Sequence, residues 1–110
     1  MAVVRLFLVL LLTLACAAGA AHAARPVLIA APSAQELFDA GGCRGCHSLG
    51  DRGGSRGAAL DKVGKRLDAG RLRLWLLWPQ SLAPGTSMPV YDHLSEEQIE
   101  LLVDYLAGLK

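Results

Sequence analysis

The chain contains few cysteines, and none follows Cys46. There are three in 110 residues, and the first, Cys16, lies in an apolar N-terminal stretch. This number is too small for a scaffold of several disulfides or for a zinc module with two cysteine clusters. Aromatic residues make up only 5% of the chain, they are not interleaved with the basic residues, and the net charge is +1. This composition gives no indication of nucleic-acid binding.

The N-terminus has the three parts of a secretory signal peptide. Arg5 is followed by an uncharged run, mostly Leu and Ala, and then by an A-x-A cleavage site at Ala21-His22-Ala23. We predict a signal peptide at residues 1–23 and a linker at residues 24–32, with cleavage after Ala24 as a second option. An uncleaved anchor helix is the alternative, because the apolar run is nearly long enough to span a bilayer. A lipoprotein signal ending at Cys16 is disfavoured by the poor lipobox before it.

Five residues, Cys43-Arg44-Gly45-Cys46-His47, carry most of the functional information. The spacing C-x-x-C-H is the attachment signature of a c-type haem. Two thiols one helical turn apart can each add across a haem vinyl group, and the imidazole that follows can occupy one axial position on the iron. The motif therefore predicts that Cys43 and Cys46 bind haem c covalently and that His47 binds its iron.

Three other interpretations of these five residues remain open. A thiol–disulfide oxidoreductase also uses C-x-x-C, but it expects a βαβ pattern that is not visible here. A structural zinc site could take Cys43, Cys46 and His47, but it needs a fourth ligand. A plain disulfide is the third. A zinc domain predicts a colourless protein, and an oxidoreductase predicts activity without haem.

The first and last helices are predicted from their capping residues. Ser33 and Glu36 form a capping box, and Gly41-Gly42 ends the first helix directly before Cys43. Ser95 begins the last helix with Gln98 as its capping partner. Its apolar positions follow helical spacing, so this face should pack on the Leu37/Phe38 helix; they are Ile99, Leu102, Val103 and Leu106.

Between these two helices we predict an exposed loop at Ser48–Ala59, a short helix at Leu60–Arg66 and a longer helix from Ala69 to about Trp78. The loop is rich in glycine but lacks the phosphate-binding pattern. Asp68 caps the longer helix and Pro79 stops it. This helix is apolar nearly all round, which predicts that it is buried or pressed on a flat apolar surface such as a porphyrin. Trp75 or Trp78 could donate its indole N–H to a haem propionate.

Met88 is the only methionine left after the predicted cleavage, and it lies in a loop at Ser81–Tyr91. A thioether in a Pro/Gly loop suits a soft axial ligand better than core packing, and Pro89 would stiffen the loop. Two alternatives stay open, namely Met88 as an ordinary packed side chain and His93 as the sixth iron ligand.

In combination, these motifs resemble the small class I, single-haem bacterial cytochromes c. The matching pieces run in the family's order from Gln35 to Leu106. They are Glu36-Leu37-Phe38, the Cys43–His47 motif, Gly57-x-x-Leu60, Val63-Gly64, Trp75-Leu76-Leu77 with Pro79, Pro84-Gly85-Thr86-x-Met88-Pro89, and Leu94-Ser95 through Tyr105-Leu106.

The resemblance implies an all-α domain at residues 33–110, with three to five helices around one haem and the first and last helices packed together. It implies thioether bonds at Cys43 and Cys46, with His47 and Met88 as axial ligands. One position departs from the family: Ala58 stands where a proline is usual, its carbonyl accepting the Nδ1–H of the ligand histidine. A backbone carbonyl survives this change, so the hydrogen bond is expected, with less rigidity.

The expected function is that of a periplasmic one-electron carrier, or of a haem subunit, cycling between Fe(II) and Fe(III) without a small-molecule substrate. Expected partners are a cytochrome oxidase, a bc-type complex or a periplasmic dehydrogenase, with membrane association only if the N-terminus is uncleaved. A gas-binding or sensing haem protein is the alternative if Met88 is not a ligand. Residues 44–73 hold eight basic and three acidic groups, which either orient the molecule toward a partner or form an ordinary solvated face.

Overall fold

The computed structural model describes residues 30–110. The predicted signal peptide and most of the predicted linker fall outside these residues, so both stay predictions. Over residues 30–110 the chain is mostly helical, which confirms the all-α class, and no helix of this part is both long and apolar enough to cross a membrane. The elements are α1 (Ala34–Ala40), a 3-10 turn (Cys43–Gly45), β1 (Ser48–Leu49), β2 (Arg52–Gly53), α2 (Val63–Arg66), α3 (Ala69–Leu77), α4 (Pro79–Leu82) and α5 (Glu96–Ala107).

The predicted caps form at all three main helices. At α1 the Ser33 hydroxyl accepts from the Glu36 N–H at 3.3 Å, and the Glu36 carboxylate accepts from the Ser33 N–H at 2.7 Å. Ser95 and Gln98 repeat this reciprocal arrangement at α5. The Asp68 carboxylate caps α3 by accepting from the N–H of Arg71, the third residue of the helix. Each cap pairs backbone donors that a helix start otherwise leaves without partners.

Helices α1 and α5 pack against each other, as predicted. The Phe38 and Tyr105 rings lie 5.9 Å apart between centroids, and the Tyr105 hydroxyl donates to Gln35 Oε1 at 2.6 Å. Phe38 is almost completely buried. The apolar residues of α5 join it in one core, namely Ile99, Leu102, Val103 and Leu106.

Helices α2 and α3 attach to α5 and to the residues that follow it. Arg73 of α3 forms ion pairs with Glu96 and Glu100. The Gly64 N–H of α2 donates to Leu109 O at 2.9 Å, and Lys110 Nζ donates to Gly64 O at 2.7 Å.

Two of the eight basic groups in residues 44–73 are neutralised by neighbouring carboxylates. Arg44 pairs with Asp39, and Arg73 pairs with Glu96 and Glu100.

Three expectations about the middle of the chain need correction. The predicted loop at Ser48–Ala59 contains a small antiparallel hairpin, β1–β2, with Gly50 at φ +64° in its turn. The predicted short helix covers only Val63–Arg66. Helix α3 ends at Leu77 before Pro79, as predicted, but Pro79 also begins α4, which includes the first two residues of the predicted loop at Ser81–Tyr91, because proline fits the first turn of a helix.

Helix α3 is buried on one face. Leu72 and Leu76 are buried, but Leu74 is 37% exposed, and Trp78, which follows the helix, is 56% exposed. Only one face of a helix can contact α5 and the cavity described below. The apolar residues on its other side stay in solvent.

Candidate functional site

A cavity of about 520 Å³ lies between α1, the Cys43–His47 motif, α3 and the loop that follows α4. Its volume is that of a typical cofactor site. The walls contain all four side chains that were predicted to hold the haem, namely Cys43, Cys46, His47 and Met88. The lining includes Phe38, Cys43, Cys46, His47, Arg56, Leu60, Arg66, Trp75, Leu76, Met88 and Tyr91.

The Cys43–His47 motif forms one tight turn. Gly42, at φ +71°, reverses the chain after α1, a conformation that favours glycine. The N–H groups of Cys46 and His47 both donate to the Cys43 carbonyl, at 3.2 and 2.9 Å. Both cysteines are half-buried free thiols. The turn therefore brings two thiols and an imidazole to one wall of the cavity.

His47 is held in a fixed orientation by the chain segment opposite it. Its Nδ1 lies 2.7 Å from the Ala58 carbonyl oxygen. The hydrogen bond expected from the backbone is therefore present, although alanine replaces the usual proline. Because a carbonyl can only accept, Nδ1 carries the proton and donates it to this hydrogen bond, and the lone pair of Nε2 is free to bind a metal.

Gly57 allows this close approach. A methyl group at position 57 would lie 2.4 to 2.9 Å from three atoms of the His47 ring, well inside contact distance. The Gly57 N–H also donates to the Cys46 carbonyl at 2.8 Å. The segment 57–58 is thus hydrogen-bonded to the motif twice, once to the Cys46 backbone and once to the His47 ring.

Arg44, a variable position of the motif, anchors the turn to its surroundings. Its Nε donates to Asp39 at 2.8 Å, its Nη1 donates to the Leu49 carbonyl at 3.3 Å, and its guanidinium lies 5.3 Å from the Phe38 ring centroid. No sequence signal indicated this role, since the motif spacing requires only that residue 44 be compatible with the turn.

Tyr91 is a second residue that sequence reasoning missed. Its hydroxyl donates to the Gly41 carbonyl at 2.9 Å and lies 3.7 Å from Cys43 Sγ. Burial, followed by the contact with Cys43, raises the pKa of Tyr91 well above its usual range. Burial also raises the pKa of the Cys43 thiol. No local pattern marks Tyr91, because its partners are about fifty residues away.

The Met88 loop also lines the cavity. The Met88 N–H donates to Thr86 Oγ1 at 3.3 Å, and the Gln80 side chain hydrogen-bonds the backbone of both Gly85 and Thr86. His93, the rival ligand, is exposed and does not line the cavity. Of the two tryptophans, Trp75 lines the cavity and Trp78 does not.

The residues of the cavity fit a haem. Most of the lining is apolar, and its only charged side chains are Arg56 and Arg66, both cationic. Such a wall suits an apolar macrocycle with carboxylate substituents, while the thiols and the imidazole supply attachment and ligation. Arg66 is itself held by a 2.6 Å hydrogen bond to the Ala59 carbonyl.

The rival interpretations find less in residues 30–110. No three His, Cys, Asp or Glu side chains in this part converge on a common point as metal ligands do. The sheet in this part of the chain consists of the β1–β2 hairpin alone, with no βαβ unit around the cysteines. The arrangement at the cavity is that of an organic cofactor site bounded by thiols.

Comparison with known proteins agrees with this geometry. The cytochrome c family model matches residues 31–110. Cytochrome c oxidase subunit 2 of Alkalihalophilus pseudofirmus is 36% identical over 98 residues, which is 82% of this chain and 29% of that protein. The same subunit of Bacillus sp. strain PS3 is 50% identical over 40 residues, 36% of this chain and 11% of that protein. The chain thus spans less than a third of the length of these relatives.

A solved structure has the same fold. The crystal structure of SoxXA from P. pantotrophus superposes with a TM-score of 0.59 at 23% identity, covering 78% of this chain and 88% of the other. Because the family model covers most of the chain, the residues around the cavity can be assigned to a cofactor class. The chain belongs to the cytochrome c family and is an electron-transfer protein that carries covalently attached haem c.

Proposed function

We propose that the protein is a periplasmic one-electron carrier, or the haem-bearing part of a redox complex, with His47 and Met88 as axial ligands. Cys43 and Cys46 would hold the haem by thioether bonds. The observation that carries this proposal is the cavity itself, whose lining contains both the motif and the Met88 loop.

The support for His47 is the state of its ring. The Ala58 carbonyl accepts a hydrogen bond from the Nδ1–H group, which favours the tautomer whose Nε2 has its lone pair available for a metal. The short distance also restricts rotation of the ring. A ligand oriented in this way needs little reorganisation when the iron changes its charge.

The support for Met88 is its position and chemistry. It is a half-buried side chain of the cavity wall, in a loop that is braced by Gln80 and followed by Pro89. A thioether is a soft, neutral ligand that favours reduced metal ions. Methionine ligation raises the reduction potential of a haem relative to histidine alone.

When bound, haem c supplies an iron that gains and loses one electron. The residues of the chain supply the environment for that change. Side chains such as Phe38, Leu60 and Leu76 keep water away from the cavity. Arg56 and Arg66 offer positive charge to the carboxylates of the cofactor. Two axial ligands from the protein would leave no open position for oxygen or peroxide chemistry.

The periplasmic location rests on the signal peptide predicted at residues 1–23. Similarity to subunit 2 of two cytochrome c oxidases supports a place beside or within a terminal oxidase, the first of the expected partners. A bc-type complex or a periplasmic dehydrogenase would then stand on the electron-donating side. N-terminal mass analysis of the exported protein tests the cleavage site, because a mature chain must begin at Ala24 or Arg25.

The ligation is tested by optical spectra of the protein expressed with the haem-attachment machinery. We expect haem that stays with the chain in acid acetone, sharp bands after dithionite and a weak Met–Fe(III) charge-transfer band in the oxidised form. Met88→Ala should abolish that band, lower the potential and allow cyanide or imidazole to bind.

Ser87→Ala is the matched control, since it removes a hydroxyl from the neighbouring position of the same wall. It should leave the spectrum unchanged. A high-spin spectrum in the unmodified protein would instead favour a gas-binding function. A colourless protein would rule out the haem assignment itself.

A further inference from the structure

Tyr91 connects three elements around the cavity. Its hydroxyl donates to the carbonyl of Gly41 at the end of α1, and its backbone N–H donates to the Leu76 carbonyl of α3 at 2.9 Å. It follows Met88 by only three residues. The side chain is 5% exposed and lies against the cavity.

We propose that Tyr91 is a positioning residue that sets where the Met88 loop lies relative to the Cys43 wall. The proposal rests on the proposed ligation by Met88. Only two residues separate the two positions, and Pro89 fixes its own φ angle. Whatever holds Tyr91 therefore also limits the movement of the Met88 sulfur.

The hydroxyl is the part of Tyr91 that reaches the end of α1. Its ring already packs closely on the chain, since a methyl group at Gly41 would lie 3.2 Å from Tyr91 Cε1. Only the hydroxyl, however, makes a directional bond across the cavity edge, to Gly41 O. The ring packs in the apolar interior, and the hydroxyl holds the loop in position relative to α1.

The donor direction of this bond is settled by chemistry. A cysteine sulfur in a thioether has no proton and can only accept, and weakly. The phenol has one proton, and the carbonyl of Gly41 is both the nearer and the stronger acceptor. Cys43 Sγ, at 3.7 Å, then contacts the phenol oxygen from the side. Attachment of haem at Cys43 would leave the Tyr91–Gly41 bond in place.

The test is imidazole binding to the oxidised, haem-loaded protein. Imidazole competes with Met88, so its apparent affinity measures the fraction of molecules in which the loop has moved away. Tyr91→Phe keeps the ring and removes the hydroxyl. Loss of one hydrogen bond should raise that fraction, and lower the apparent dissociation constant, about fivefold.

Tyr105→Phe is the matched control. It also removes a tyrosine hydroxyl with a strong partner, Gln35, but it lies outside the cavity wall. Its imidazole affinity should equal that of the unmodified protein. Equal affinities for all three proteins would overturn the role of Tyr91. Absence of the Met–Fe(III) band from the unmodified protein would instead overturn the proposed ligation.

A measurement on the unmodified protein keeps the inference testable if Tyr91→Phe does not accumulate. In the reduced protein the Tyr91 hydroxyl proton should exchange slowly with solvent and show a nuclear Overhauser contact to the Cys43 β protons. A hydroxyl proton that exchanges as fast as that of Tyr105 would overturn the proposal.

Discussion

The close approach of Gly57 to His47 predicts a large effect from one methyl group. In Gly57→Ala the added carbon would lie 2.4 Å from Cε1, 2.5 Å from Nδ1 and 2.9 Å from Nε2 of the imidazole. Carbon contacts settle at about 3.5–4.0 Å, so the ring and the backbone must separate by about 1 Å. The 2.7 Å bond between Nδ1 and the Ala58 carbonyl cannot survive that separation.

The expected cost combines two effects. Overpacking of this kind costs about 1–3 kcal/mol, and the lost hydrogen bond adds about 1 kcal/mol. For a domain of this size the sum corresponds to a fall in Tm of roughly 10 °C or more. Guanidinium unfolding of the haem-loaded protein, followed by far-UV circular dichroism, measures the free energy of unfolding.

Gly45→Ala provides the matched control within the attachment motif. A methyl group there meets no atom within 4 Å, and Gly45 does not have a positive φ. Its effect should stay within about 0.5 kcal/mol. The reasoning is refuted if the two variants unfold at the same denaturant concentration.

Three further predictions concern the frame around the site. Gly64→Ala should destabilise the protein by about 1–3 kcal/mol, because its methyl group would lie 2.1 Å from the Ala107 carbonyl oxygen of α5. Gly70→Ala, whose methyl group would lie 3.5 Å from the nearest atom, should not destabilise it, and thermal unfolding compares the two variants. Arg73→Ala should cost about 0.5–1 kcal/mol in urea at low salt, and less at high salt, since its ion pairs are partly exposed. Stability should fall as the pH drops below the ordinary carboxyl pKa values, 4.5 for Glu36 and 3.8 for Asp39, because hydrogen bonds from Ser33 and Arg44 lower the folded-state pKa of these two groups. Asp39→Asn should flatten that pH profile, and equal slopes for the two proteins would contradict this.

Local signals predicted the elements that depend on neighbouring residues. The caps at Ser33, Asp68 and Ser95 formed as expected, because a capping bond joins residues two or three positions apart. The motif at Cys43–His47 and the Met88 loop were found for a related reason, since each is a short stretch of fixed spacing. In the folded chain both stretches line the same cavity.

The features that the sequence did not indicate depend on distant partners. Tyr91 reaches Gly41 across 50 residues, and Arg44 acquires its role only after the hairpin places Leu49 beside it. The extent to which α3 is buried could not be predicted, because an apolar sequence does not say how many neighbours a helix will have. The structure gives it one packed face and leaves Trp78 in solvent.

The pairing of α1 with α5 has a consequence for the order of events during folding. Tyr105 and Gln35 are 70 residues apart, so the hydrophobic core closes only after a long loop has closed. Such non-local pairing slows folding relative to a bundle of sequential hairpins. During that interval an external oxidant could join Cys43 and Cys46 in a disulfide, in competition with thioether formation. We therefore expect the yield of haem-loaded protein to depend on the relative rates of these two reactions at the two sulfurs.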